Sequence, residues 1–485
     1  MARPLTLVLL CGTALAMPLA AQAQDHGGHA AHQPATPATQ PADHSGHADH
    51  SAHTQPPAAT ATADHSGHEA HTPPAAPPAD HSGHDMGDHE GHDMSGHAMT
   101  GTLGAYPMSR EASGTSWQPD AAHHGGVHWQ AGDWTYMAHA ELNLVHTDQS
   151  GPRGDAMTFV AGMVMGSARR DFDNGSTLNL RAMLSPDPFM GEEGYPLLLA
   201  SGETADGVEP LIDRQHPHDL FMELSASYSW RLSDSDSLFV YGGLPGEPAF
   251  GPPAFMHRPA AIASPEAPIT HHWLDSTHIT FGVLTAGWIH DGFKLEASSF
   301  RGREPNEERY DIETGDLDSW SVRASWNPTP NWALQVSRAD VTSPEQLEPD
   351  EDEVRWSASA LYTAPFMDGQ WSMSTAFGRK IDDHDVARDA WLFEASASPD
   401  GRWTGFSRVE RIETAELEHG HGGGHGDTYT VGRATLGIVR DFRVNDTTVV
   451  GVGGSWAFNF VPDELEADYG GDPDGAMVFV RLRIQ

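Results

Sequence analysis

From about residue 130 onward the apolar positions recur every second residue. Leu220, Met222, Leu224, Ala226, Tyr228, Trp230 and Leu232 alternate with Glu223, Ser225, Ser227, Ser229 and Arg231. The same rhythm runs through Trp320/Val322/Ala324/Trp326, Val354/Trp356/Ala358/Ala360/Tyr362 and Val450/Val452/Gly454/Trp456/Phe458/Phe460. Successive side chains of a strand point to opposite faces, so each run predicts a strand with one greasy and one polar face. No helical periodicity of similar clarity occurs. About 16 such runs can be counted between residues 134 and 485, each of a length that crosses a bilayer when tilted.

The links between runs alternate in length. Short turns at 173–176, 233–236, 291–292, 327–331, 366–369, 398–401 and 445–446 interleave with mostly longer links at 147–155, 186–217, 245–277, 304–317, 343–352, 416–427 and 461–474. Tight turns at one end and long loops at the other are the rhythm of an antiparallel transmembrane β-barrel. Trp134, Tyr136, Trp230, Trp320, Trp326, Trp332, Trp356, Tyr362, Trp371, Trp403 and Trp456 fall near strand ends, where amphipathic rings meet the lipid headgroups. The expected organisation is a signal peptide at 1–23, a disordered His-rich segment at 24–100, a linker at 101–130 and an outer-membrane barrel at 131–485. Cys11, the sole cysteine, would leave with the signal peptide. No later run of 18 apolar residues predicts a membrane helix.

Composition changes the picture in one region. Between residues 25 and 99 lie 15 of the 31 histidines and no Lys or Arg, within Pro, Ala, Gly and Thr. They are His26, His29, His32, His44, His47, His50, His53, His65, His68, His71, His81, His84, His89, His92 and His97. So little apolar surface cannot offset the entropy of ordering. Neutral imidazoles beside Asp, without competing cations, read as a collector of divalent transition metal, and otherwise as a solvated spacer. Copper, zinc and nickel all fit, and Met86, Met94 and Met99 tilt the choice toward copper. The whole chain carries 68 acidic against 27 basic residues, with lysine only at Lys294 and Lys380, which excludes nucleic acid as a partner and favours cations.

In these features the chain resembles bacterial outer-membrane β-barrels of the porin type. In layout it is similar to the copper-resistance outer-membrane protein B family, which joins a secreted His/Met-rich leader to a carboxy-terminal barrel. The last strand reads Val478, Val480, Leu482, Ile484 and stops at Gln485, where many barrels end in Phe.

An even strand number would put both termini in the periplasm, with the His-rich segment below the barrel. His419, His421 and His425, separated by glycines, would stand on the outer side as a second metal site or as a plain surface loop. His216-Pro217-His218-Asp219 places two imidazoles at i and i+2. His257, His271, His272, Asp275 and His278 come from the next long link, which is Pro-rich enough to fold back into the lumen. These histidines read either as a constriction that binds metal or as hydrogen-bonding holders of loop backbone. By parity His139, Glu141, Arg181, Glu223, Arg231, Lys294, Glu296, Arg323, Arg338 and Arg355 are expected to face inward, since charge facing lipid is costly. No Gly-x-Ser-x-Gly, His-Glu-x-x-His or phosphate-cradling loop is present, and the chain is expected not to be an enzyme. Two functions follow: a barrel that binds, sequesters or translocates copper or a related metal in resistance, or a general porin with an incidental leader. The partners expected are metal ions, outer-membrane lipid, further copies of the chain and periplasmic metal-handling proteins.

Overall fold

A computed structural model describes residues 99–122, 125–418 and 427–485. Among the described residues nineteen strands run in chain order: β1 (Val127–Ala131), β2 (Trp134–Gln149), β3 (Ala156–Asp171), β4 (Thr177–Leu184), β5 (Tyr195–Thr204), β6 (Pro210–Gln215), β7 (Phe221–Arg231), β8 (Asp236–Gly243), β9 (Val283–His290) and β10 (Phe293–Phe300). They continue as β11 (Ser319–Thr329), β12 (Trp332–Thr342), β13 (Asp352–Phe366), β14 (Gly369–Asp382), β15 (Ala387–Ser398), β16 (Trp403–Thr414), β17 (Tyr429–Arg443), β18 (Thr448–Phe460) and β19 (Asp474–Ile484).

β2–β4 and β7–β19 make a closed antiparallel cylinder of 16 strands. The last seam runs from Gly475 opposite Gln149 to Ile484 opposite Ala140. Closure leaves no unpaired strand edge, which is the condition for backbone to stand in lipid. The additional strand β1 folds back on the start of β2, Val127 opposite Ala138. β5 and β6 form a separate hairpin in the long link after β4. Neither was foreseen: Leu197, Leu198, Leu199 and Ala200 are all buried, so that run lacks the two-residue period of a wall strand. Among the described residues no helix is long and apolar enough to cross a membrane.

The outward face is apolar. Leu144, Val160, Val164, Val240, Leu284, Val336, Leu436, Val452 and Val478 are exposed around its middle. Aromatic groups mark both rims, with Trp332, Tyr362 and Trp371 touching in series at the short-turn end and Phe377 against Trp391 at the other. Arg338 corrects the parity expectation. It faces outward over the rings of Trp320 and Trp356, with its guanidinium beside Asp340. Only Ala333, Gln335, Ser337, Ala339 and Val341 of β12 alternate toward the lumen. Near a rim, a long cationic side chain can lie along aromatic surface with its head at the water.

The lumen is occupied from both ends. Residues 99–122, which span the end of the expected His-rich segment (24–100) and most of the expected linker (101–130), lie within the barrel at its short-turn end. The wall hydrogen-bonds this segment through Arg181 to the carbonyl of Gly114 at 2.6 Å, Ser229 to that of Thr102 at 2.8 Å, and Asn327 to that of Gln118 at 2.8 Å. The link at 244–282 enters from the long-loop end. Its Arg258 meets Glu394 of β15 at 2.8 Å, and its Glu266 meets Arg433 of β17 at 3.0 Å. The two inserted segments touch where the Ala254 amide donates to the Ser113 hydroxyl at 2.9 Å.

Candidate functional site

Five histidines meet in the lumen. His216 and His218 come from the link between β6 and β7, His271 and His272 open a one-turn helix, α1 (His271–Leu274), and His278 ends the next turn, Ser276–His278. The helix sits close to the wall because β14 offers no side chain there. A Cβ at Gly378 would stand 2.6 Å from the Trp273 carbonyl oxygen. Ring centres are 5.1 Å apart for His218–His278, 5.2 Å for His271–His278, 5.5 Å for His271–His272 and 5.5 Å for His216–His272. All five are buried, His271 at 1 % exposure.

Neighbours fix how these rings present their nitrogens. The Nδ1 of His218 donates to Asp187 at 2.8 Å, that of His271 to Asp275 at 2.8 Å, and that of His278 to the Asp275 carbonyl at 2.7 Å. A backbone carbonyl can only accept, so the proton of His278 resides on Nδ1 and its Nε2 carries the lone pair. The Nε2 atoms of His216, His218 and His278 are buried without a protein partner. Burial holds His216, His272 and His278 well below the usual imidazole range, reinforced by adjacent imidazoles. Burial opposes ionisation of Asp275, yet Arg258 and His271 outweigh it and hold its carboxyl well below the carboxylate range.

On the long-loop side of the histidines lies a carboxylate-rich mouth. Glu203 is 3.2 Å from His216, Glu304 is 3.9 Å from His272, and a cavity of about 420 Å³ is lined by Glu203, Glu345 and Glu416. Burial, with mutual repulsion among carboxylates, raises Glu304 to about 8 and Glu345 and Glu348 to about 7. Arg309, Arg355 and Lys380 supply the counter-charges. On the other side, a cavity of about 560 Å³ borders His218, Asp187 and Met163. Met163 also borders a cavity of about 1630 Å³ that reaches Met165, His257, His139 and His128 toward the short-turn end. Met163, Met183 and Met222 pack together there, with Met165 and Met256 against them.

His216 and His218 thus stand where the sequence suggested, beside His271, His272, Asp275 and His278. His257 stands apart, on the Met-lined cavity. His139, Glu141, Glu223, Lys294, Glu296, Arg323 and Arg355 are turned into the barrel as expected. His26, His29, His32, His44, His47, His50, His53, His65, His68, His71, His81, His84, His89, His92, His97, His419, His421 and His425 lie outside the described residues. Sequence reasoning missed Asp187, Glu203 and Arg258, which come from separate links. Asp275 and the Asp219 that follows His218 were the acids the sequence offered for the cluster, and Asp219 pairs with Arg309 at 3.5 Å. Among the described residues no group of three or more His, Cys, Asp or Glu is already arranged around a common metal position.

No family model matches the chain, and no curated protein matches it in sequence. Among solved structures it is similar to OmpF of Salmonella typhi in complex with daunomycin, at 10 % identity and TM-score 0.49, over 74 % of this chain and 100 % of that one. It is also similar to OprB of Pseudomonas putida (10 % identity, TM-score 0.45, 73 % and 94 % covered) and to an anion-selective porin from Comamonas acidovorans (12 %, 0.42, 72 % and 99 %). These superpositions are too loose to transfer any residue's role. Strand closure, the apolar outer belt and the aromatic rims make the chain a porin-like β-barrel of the bacterial outer membrane.

Proposed function

We propose that this porin-like barrel is an outer-membrane channel for small cationic solutes, restricted by the two inserted segments. One observation carries the reading: Glu203, Glu304, Glu345, Glu348 and Glu416 crowd one mouth, and the mutual repulsion that opposes their ionisation is relieved by a cation among them. A ring of acidic groups over a low-dielectric passage concentrates cations and repels anions. Reversal potentials of the purified full-length protein in planar bilayers, under a salt gradient, test it. Cation preference that weakens in Glu345→Gln/Glu348→Gln supports the reading, and anion preference or a silent bilayer overturns it.

The buried imidazoles favour a second, narrower reading, in which the cation is a transition metal and the barrel serves metal resistance or homeostasis, with copper first. Growth of a deletion strain across copper, zinc and nickel gradients tests that reading. Unchanged tolerance to all three would remove it and leave a general porin.

A further inference from the structure

The histidine cluster has a geometry that loop-holding alone does not explain. Histidines that merely tie down backbone use their nitrogens on protein groups, whereas here the buried Nε2 atoms of His218 and His278, and of His216 beside them, are left without one. An unpartnered buried polar atom is destabilising unless something absent from the apoprotein satisfies it. The opposite nitrogens of His218 and His271 are held by carboxylates, and that of His278 by a carbonyl. This is the outer arrangement that fixes the tautomer and aim of metal-ligating imidazoles.

Spacing agrees. With metal–nitrogen bonds of about 2.0–2.1 Å, two imidazoles on one tetrahedral ion have ring centres roughly 5 Å apart. His218–His278 and His271–His278 stand at 5.1 and 5.2 Å, while His218–His271 at 6.5 Å would have to close by about an ångström. The rings are steeply inclined to one another, by 80°, 65° and 83°, so they are not stacked face to face. The surrounding charge excludes an anion as the occupant, because Asp187, Glu203 and Asp275 stand against the same rings. Calcium and magnesium prefer oxygen donors, whereas imidazole suits late first-row metals.

We propose that His218, His271 and His278 close on one divalent late first-row transition-metal ion inside the lumen, with His216 and His272 as the relay between that site and the acidic mouth. The site rests on the metal-ion reading above, but its test is independent of conductance. Asp187 and Asp275 act as positioning residues, and Met163 leads from the site to the Met-lined cavity.

The full-length protein with all eighteen histidines outside the described residues that are numbered above changed to Asn, purified in detergent, is titrated with Co(II). Stoichiometric binding with the intense visible bands of tetrahedral cobalt is expected, displaced by Cu(II) or Zn(II). His278→Gln and His218→Gln should weaken it more than about tenfold, and Asp275→Asn by about 10–100-fold, while His257→Gln leaves it unchanged. Each variant's fold is verified by its unboiled gel mobility. Should His278→Gln misfold, competition between Zn(II) and a histidine-modifying reagent at His218 in the parent gives the same answer by peptide mapping. No cobalt bands, or bands that persist in both folded His218 and His278 variants, would overturn the site. A bilayer result leaves it untouched.

Discussion

The two segments that fill the barrel are held by different chemistry. Residues 99–122 are gripped mainly through their own carbonyls, by Arg181, Ser229, Asn327 and Lys294, so the wall reads that segment's backbone more than its side chains. Residues 244–282 are gripped by charge. Arg258 sits against both Glu394 and Asp275, Glu266 accepts from Arg433, and the Glu266 carbonyl accepts from Arg408 at 2.8 Å. Hydrogen bonds to backbone come apart at about 1 kcal/mol each, whereas a buried charge stripped of its partner costs several. Residues 244–282 are therefore the more firmly fixed filling, and residues 99–122 the one released at lower cost.

Four experiments probe that contrast. The largest effect is expected from Glu394→Gln, which takes the shared carboxylate from Arg258 and Arg408 together and leaves Asp275 alone to balance them. Apparent stability in a heat-modifiability assay should fall by about 3–5 kcal/mol, more than for any single change in residues 99–122. Next comes Leu436→Arg on the lipid face, expected to cost about 2–4 kcal/mol on refolding into vesicles, which calibrates the wall against its fillings. Third, Thr115→Val removes the hydroxyl that donates to Glu296 at 2.6 Å, and a loss of about 1–3 kcal/mol is expected together with raised open probability in bilayers. A loss as large as that of Glu394→Gln would erase the distinction. The smallest effect concerns pH. Glu304, Glu345 and Glu348 hold protons in the native state above their ordinary value of 4.5, so folding retains more protons than the unfolded chain between about pH 4.5 and 8. Their contribution therefore falls as pH rises through that window, and the melting difference between the parent and Glu304→Gln/Glu345→Gln should shift in the variant's favour toward pH 8.

The wall was legible because each strand repeats one local rule. Val354, Trp356 and Ala358 meet lipid while Arg355, Ser357 and Ser359 do not, and that can be read from six neighbouring residues. Where the rule meets a rim it fails, as at Arg338, because a long side chain reaches water from either face. The fillings were less legible, since their partners are far apart in sequence: Arg258 and Glu394 are separated by 136 residues, and Thr115 and Glu296 by 181. The Pro-rich length of the 245–277 link announced that it could fold inward, and its histidines announced a cluster with His216 and His218. Apart from Asp275, the acids around those rings carried no local signal, because Asp187, Glu203 and Glu304 each look like ordinary loop polarity until closure brings them together.

Arg323 bridges both fillings. One nitrogen meets the Thr115 hydroxyl at 3.0 Å, another the Gly251 carbonyl at 3.0 Å, and the third Glu296 at 2.9 Å. A single guanidinium thus latches the stopper of each end to one post on the wall. Any occupant that draws the 244–282 segment away relaxes the clasp on residues 99–122, and withdrawal of the latter does the same in return. The two faces of the membrane are thereby linked through three hydrogen bonds of one side chain.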